Sequence, residues 1–315
     1  MPKKYVFLFL LFSAGFLSAS VSAREYPLGM YITSLYNFNY VDQTFCTDYW
    51  IWTLYDGEET DFDGRLDPVN DISFSSGIYS SEKIENGKIW MQQKIQAVYQ
   101  YKWDMRKFPF DTAILKIELE DYRDANEITF IADRENSGVS NLINVDGWEI
   151  ISFNIEDNIV EYGTTFGNPL AKAESDDYSR VTAKVGIRRT NPWITFFKLT
   201  AGVYISILIS FLPFFMKPNT DSRLSLPSAG LFAIVSNKYV VESTVPSSTS
   251  LTLLDSIHST AMFCILLIFF VLIQTDGMRS TEEKNMIAKS FRIDHLFALI
   301  FAVVFVVINV MLFVM

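Results

Sequence analysis

The sequence predicts a β-sandwich head followed by an all-α membrane domain of four helices. Three observations carry that expectation. Strand-like segments separated by turn signals run from Arg24 to about Arg189, and long apolar runs take over after Pro192. Between these limits acidic residues outnumber basic ones nearly two to one, which is not true of the remainder, in a chain of net charge −10. An acidic head concentrates cations and repels nucleic acid, so nucleic acid is not an expected partner.

The chain opens with Lys3 and Lys4 ahead of the apolar run Tyr5–Phe12, and Val21-Ser22-Ala23 has the small-x-small pattern of a cleavage site. Residues 1–23 are therefore expected to be a signal peptide, its apolar core short for a span, that delivers the head outside the cytoplasm.

Residues 24–191 form the expected head. Tyr31–Leu35, Cys46–Leu54, Ile89–Trp103 and Ala113–Leu119 combine β-branched and aromatic residues with partial alternation, the pattern of half-buried strands. Asp56-Gly57, Asn86-Gly87, Asp146-Gly147 and Gly167-Asn168-Pro169 punctuate them as turns. Asp56–Asp71 is acidic and holds Gly64 and Pro68; it reads as an exposed loop without the ligand spacing of a calcium-binding motif. The two cysteines, Cys46 and Cys264, lie in different halves and make neither a disulfide framework nor a metal site. Cys46 is expected to be a small buried residue.

Residues 192–315 form the expected membrane domain, with helices over about 193–216, 225–243, 251–275 and 294–315. The second is the least apolar, carrying Ser225, Ser228, Ser236, Asn237, Lys238, Tyr239 and Glu242. Such groups are costly against acyl chains, so this helix is expected to face protein or water. Ser225, Ala229, Phe232, Ser236 and Tyr239 recur at spacings of four and three and so share one helical face. Pro227 interrupts the start of that helix, and Ser225 is a candidate cap for a helix beginning near Leu226. Lys238 and Glu242 stand one turn apart as a candidate ion pair.

Charge sets the orientation. Lys217 and Arg223 follow the first span, Arg279, Lys284, Lys289 and Arg292 follow the third, and Ser243–Ser250 has no basic residue. That asymmetry places the basic loops inside and the head outside. Asp255, Ser256 and His258 crowd one turn of the third span, but neighbours on one helix do not align nucleophile, base and orienter. His258 is expected to make an interhelical hydrogen bond, and neither an enzyme activity nor a cofactor is expected.

Four features define a resemblance: Phe108-Pro109-Phe110-Asp111; Gly147-Trp148-Glu149-Ile150; Arg189 just before the first span; and Val241-Glu242-Ser243-Thr244-Val245-Pro246 after the second. In this order and spacing the chain resembles the pentameric ligand-gated ion channels, the Cys-loop receptor superfamily, and its prokaryotic members in particular. The positions of the family's namesake disulfide fall on Tyr101 and Leu115, so that bond is absent, as in prokaryotic relatives generally.

The resemblance implies a homopentamer in a bacterial-type inner membrane, with the head periplasmic and the helices among membrane lipid. It implies a pore lined by Asp221, Ser225, Ala229, Phe232, Ser236 and Tyr239, permeated by inorganic ions, with Phe232 as a constriction and Asp221 as an acidic ring favouring cations. It implies coupling between head and helices through Asp42, Phe108, Pro109, Phe110, Asp111, Arg189, Glu242 and Pro246. It also implies a pocket between heads, closed by the hairpin Asn158–Asp177, in which Trp148, Tyr162, Phe166 and Tyr178 meet a small cationic ligand. Protons acting on the carboxylate-rich head are the alternative agonist. A membrane-anchored sensor that keeps the scaffold without conducting is the alternative function.

Overall fold

A computed structural model describes residues 24–58, 62, 65–167, 169, 176–216, 222–244, 251–279 and 284–314. The expected signal peptide, Asp221 and Pro246 lie outside the described residues.

The head is two sheets packed face to face. Strands β1 (Arg24–Asn39), β2 (Thr44–Tyr55), β4 (Asp71–Lys83), β5 (Ile89–Gln100), β7 (Ile128–Ala132) and β8 (Gly138–Val139) form one sheet, ordered β4-β5-β2-β1-β7 with β8 paired to β1. Strands β3 (Leu66–Pro68), β6 (Thr112–Asp121), β9 (Trp148–Glu161) and β10 (Asp177–Arg189) form the other, ordered β3-β6-β10-β9. Alternation decides which side chains meet between the sheets. Ile89, Met91, Ile95, Ala97 and Tyr99 of β5 point inward, against Leu115, Ile117 and Leu119 of β6 and Val181, Ala183 and Val185 of β10. Burying each large aliphatic side chain contributes about 1.5–3 kcal/mol, so this alternation, sustained over several strands, holds the head together. Two phenols inside the core satisfy each other, Tyr49 and Tyr99 sharing a hydrogen bond of 2.6 Å.

The remaining chain is four helices: α1 (Pro192–Phe211), continued by a 3-10 turn Leu212–Phe215, then α2 (Ser222–Thr244), α3 (Leu253–Arg279) and α4 (Lys284–Val314). Each is long and apolar enough to cross a bilayer, which marks the chain as a membrane protein. Pro192 begins α1, where the missing N–H has no intrahelical partner to lose. Small residues bring α1 and α2 together. A Cβ on Gly230 would come within 2.9 Å of the Ser206 carbonyl oxygen, so only glycine allows this approach.

Two boundaries differ from the sequence expectation. Helix α4 starts at Lys284 rather than near residue 294, because a helix continues past its apolar segment through Lys289 and Arg292 where water takes over from lipid. Helix α2 starts at Ser222, before Ser225, and keeps Pro227 inside. The proline lies early enough in the helix to forfeit only the bond to the Arg223 carbonyl, so Ser225 is a helical residue and not a cap.

Candidate functional site

The end of the sandwich meets the helices at the turn that joins β5 to β6. Backbone bonds from Phe108 N to the Met105 carbonyl (3.1 Å) and from Phe110 N to the Lys107 carbonyl (2.7 Å) shape this turn, and the Phe108–Pro109 peptide is cis. Its two phenylalanines point away from the sandwich. Phe108 is buried among the helix residues, and the Phe110 ring stands edge-on to Trp193 at 4.8 Å and lies 5.7 Å from Phe313. The head thus inserts apolar side chains into the membrane domain's own core.

Arg189, the last residue of β10, occupies the centre of this joint. Its Nε donates to Asp111 Oδ1 at 2.7 Å and its Nη2 to the Tyr40 hydroxyl at 2.6 Å. Its guanidinium carbon lies 4.4 Å from the Trp148 ring centroid, 4.6 Å from Phe108 and 5.4 Å from Tyr40. Only 5% of the Asp111 side chain and 14% of the Arg189 side chain remain exposed. A charge pair out of water, walled by rings that also attract the cation, is a strong and specific contact. Burial raises the Tyr40 phenol above its ordinary pKa, against the pull of Arg189, so the hydroxyl stays neutral and accepts the bond.

The expected pairing of Asp111 with Arg189 is therefore present, while the third place belongs to Tyr40. Asp42 bonds instead to the Asn39 side chain at 2.8 Å, on an exposed turn. The register explains this: the turn Tyr40–Gln43 closes on itself through Asn39, turning Asp42 outward.

From this joint a run of contacts reaches the ends of α2 and α3 nearest the head. The Leu253 amide donates to the Arg106 carbonyl at 2.9 Å, tying the first residue of α3 to the turn. Thr252 and Asp255 cap that helix reciprocally, with Asp255 N to Thr252 Oγ1 at 3.0 Å and Thr252 N to Asp255 Oδ2 at 3.1 Å. Asp255 also holds Lys238 of α2 at 3.0 Å, and Lys238 makes the expected pair with Glu242 at 3.1 Å. Glu242 thus meets the joint indirectly, through Lys238 and Asp255. His258 bonds Asn237 of α2 at 2.9 Å and the Leu254 carbonyl at 2.7 Å, the interhelical role expected of it.

Helix α2 separates its residues cleanly by face. Arg223, Pro227, Gly230, Ile234 and Val241 are buried against α1, α3 and α4, while Ser225, Ala229, Phe232, Ser236 and Tyr239 are exposed, Phe232 to 78% and Tyr239 to 68%. The five residues that spacing placed on one face lie within a wider side that no other part of the chain covers, which also exposes Leu224, Ser228, Ala233, Val235 and Val240.

At the far end of the head the β9–β10 hairpin gathers three aromatic rings. Tyr162 lies 5.5 Å from both Phe166 and Tyr178, which are 6.0 Å apart. Beside them Tyr162 donates to Glu120 at 2.9 Å, and Arg180 holds Glu120 at 2.7 Å and Glu118 at 3.1 Å. Burial, then Glu120, raises the Tyr162 phenol above its ordinary pKa. These rings border a cavity of about 540 Å³ that includes Arg65, Phe74 and Tyr122. Trp148 does not belong to this group. It begins β9 opposite Arg189, at the other end of the sandwich, and serves the joint.

Sequence reasoning overlooked Tyr40, the Arg180–Glu120 pair and an ion cluster at the end of the helices far from the head. In that cluster Arg223 meets Asp294 at 3.0 Å and Asp276 at 3.1 Å. The signal for the cluster was available: charged residues at the edges of apolar spans pair with one another or face the bundle. Among the described residues no group of histidine, cysteine and carboxylate side chains is arranged to hold a metal ion. No protein-family profile matches this chain, and no curated protein sequence matches it either.

Proposed function

We propose that this chain is the subunit of a homopentameric ligand-gated channel that passes cations, set in a bacterial-type inner membrane with the head in the periplasm. The observation that carries the reading is the uncovered face of α2. A helix with Ser225, Ser236 and Tyr239 exposed on one side is costly against lipid and is relieved when copies of that face enclose water. Five such faces make stacked rings of hydroxyl, methyl, aromatic, hydroxyl and phenol groups, closed at Phe232 by dewetting.

The joint supports the gating half of the reading. A ligand that moves the β9–β10 hairpin moves β10, whose last residue is Arg189; through Asp111 and the Arg106–Leu253 bond that motion reaches α3, and through Asp255 and Lys238 it reaches α2. The aromatic group Tyr162, Phe166 and Tyr178 beside Glu120 suits a small cationic ligand, and protons are the second candidate agonist. The bulk of Phe232 and Tyr239 on the exposed face favours, as a second reading, a sensor that binds ligand on the same scaffold without conducting.

Purified protein in planar bilayers, tested across pH and a panel of amines, separates the two. Evoked current that changes with Phe232→Ala is the expected result. Ligand binding without current in any condition supports the sensor.

A further inference from the structure

We propose that Asp276 and Asp294 set the ion preference of this protein by holding the charge of Arg223 away from the central path and neutralising it there. The inference rests on the pore reading of α2 and adds residues from α3 and α4 that line no pore.

Arg223 stands two residues before Ser225 on the same helix, so a positive ring at the inner mouth is what its position alone implies. Such a ring would repel cations. Yet the Arg223 side chain is only 1% exposed in the single chain, among the largest wholly buried side chains of the molecule. That burial owes nothing to other copies, so no assembly of the chain can bring the guanidinium to a shared axis without unpacking the bundle. Its contacts explain the direction it takes. Asp294 of α4, wholly buried, binds Nη2 at 3.0 Å, Asp276 of α3 lies 3.1 Å from Nε, and the Thr275 hydroxyl lies 3.4 Å from Nη2. Two carboxylates face one guanidinium, and the Asp276 side chain is 32% exposed, so the cluster is open at that edge. A unit charge about 10 Å away at an effective dielectric near 20 changes ion partition by roughly tenfold or more. Two carboxylates against one guanidinium leave the cluster about one negative charge in excess, so removing either carboxylate takes from the inner path a local negative potential that the native protein has.

The test reads that potential chemically. Ser225→Cys in the full-length protein reconstituted in vesicles is labelled with a cationic and an anionic methanethiosulfonate reagent of similar size, both native cysteines being buried. The ratio of cationic to anionic labelling rates is compared in Ser225→Cys alone, with Asp276→Asn and with Asp276→Glu. Asp276 is chosen because it is part-exposed; Asp294→Asn is a second, harsher variant. The expected result is a ratio that falls at least tenfold with Asp276→Asn, since cation and anion respond in opposite senses, and is restored by Asp276→Glu. The same pair read from Ser236→Cys, about 16 Å further along the helix, changes little. A ratio unmoved by Asp276→Asn overturns the proposal and leaves the pore reading standing. A fall of equal size at Ser236→Cys also overturns it, since the effect would not be local. A Ser225→Cys protein that reacts with neither reagent in any condition overturns the pore reading itself.

Discussion

Arg189 and Arg223 are both withdrawn from water, at opposite ends of the membrane domain, and they are held by different chemistry. Arg189 has one carboxylate, one hydroxyl and three aromatic rings. Arg223 has two carboxylates and one hydroxyl, and among the described residues no ring lies over it. Cation–π contacts contribute about 0.5–2 kcal/mol each and tolerate sliding of cation over ring. Buried ion pairs between helices are demanding in geometry and penalise any separation, because each partner then stands alone in a low dielectric. The arginine beside the head is held by contacts that tolerate displacement; the one at the far end of the helices fixes three of them against one another.

Arg223→Ala tests the inner half of this contrast and has the largest expected effect. It strands the buried Asp294 carboxylate, a loss of about 3–5 kcal/mol. Thermal unfolding of detergent-solubilised protein is expected to show a sharply lowered midpoint and reduced folded yield, and a native midpoint would show that the cluster is dispensable.

Arg189→Ala comes next. Asp111 is left buried, but water can reach a boundary between domains more easily than the inside of a bundle, so the stability loss is expected at or below the lower end of that range. Evoked current is expected to vanish while size-exclusion profiles stay native; normal gating would remove the joint from the mechanism. A smaller effect separates the two neighbours on the β1–β2 turn. Tyr40→Phe loses the hydrogen bond to Arg189 but keeps the ring, costing about 1 kcal/mol and displacing the agonist dose–response curve. Asp42→Asn, on the exposed side of that turn, is expected to stay within about 0.5 kcal/mol of the native protein and to leave the curve in place.

The smallest prediction lies in the head, away from both arginines. Burial, and then the Asp67 carboxylate, raise Asp71 above its ordinary pKa despite a backbone hydrogen bond that opposes them. The folded state then binds this proton more tightly than the unfolded one, so stability falls as pH rises through the window between the two values. Asp71→Asn is expected to raise the melting midpoint slightly at neutral pH, with the gain gone below about pH 4. A gain that persists in acid would assign it to something other than ionisation.

Much of the architecture was legible because period and charge are local signals. Alternation in β2 and β5, the four apolar runs and the α2 face all follow from neighbours in sequence. Strand β4 escaped because none of its residues is buried, at a sheet edge with no inward side to leave a pattern. The joint was half legible. Asp111 and Arg189 sit in recognisable contexts, but whether Asp42 or Tyr40 completes the set depends on which way one turn faces. Trp148 stands apart from the aromatic group with which the resemblance joins it, beside Arg189, because a tryptophan in a strand carries no record of which end it will occupy. The Arg223 cluster joins three helices and so appears only when they are packed.

The amide of Leu253 has a consequence for measurement. Its bond to the Arg106 carbonyl is, among the described residues, the one backbone hydrogen bond between head and helices beyond the chain's own crossing at Asn191. Deuterium uptake at that single position therefore reports strain across the two halves, in a protein whose ligand need not be known. Slow uptake means the halves are latched and rapid uptake that they have parted, which, on the function proposed above, would screen candidate ligands without an electrode.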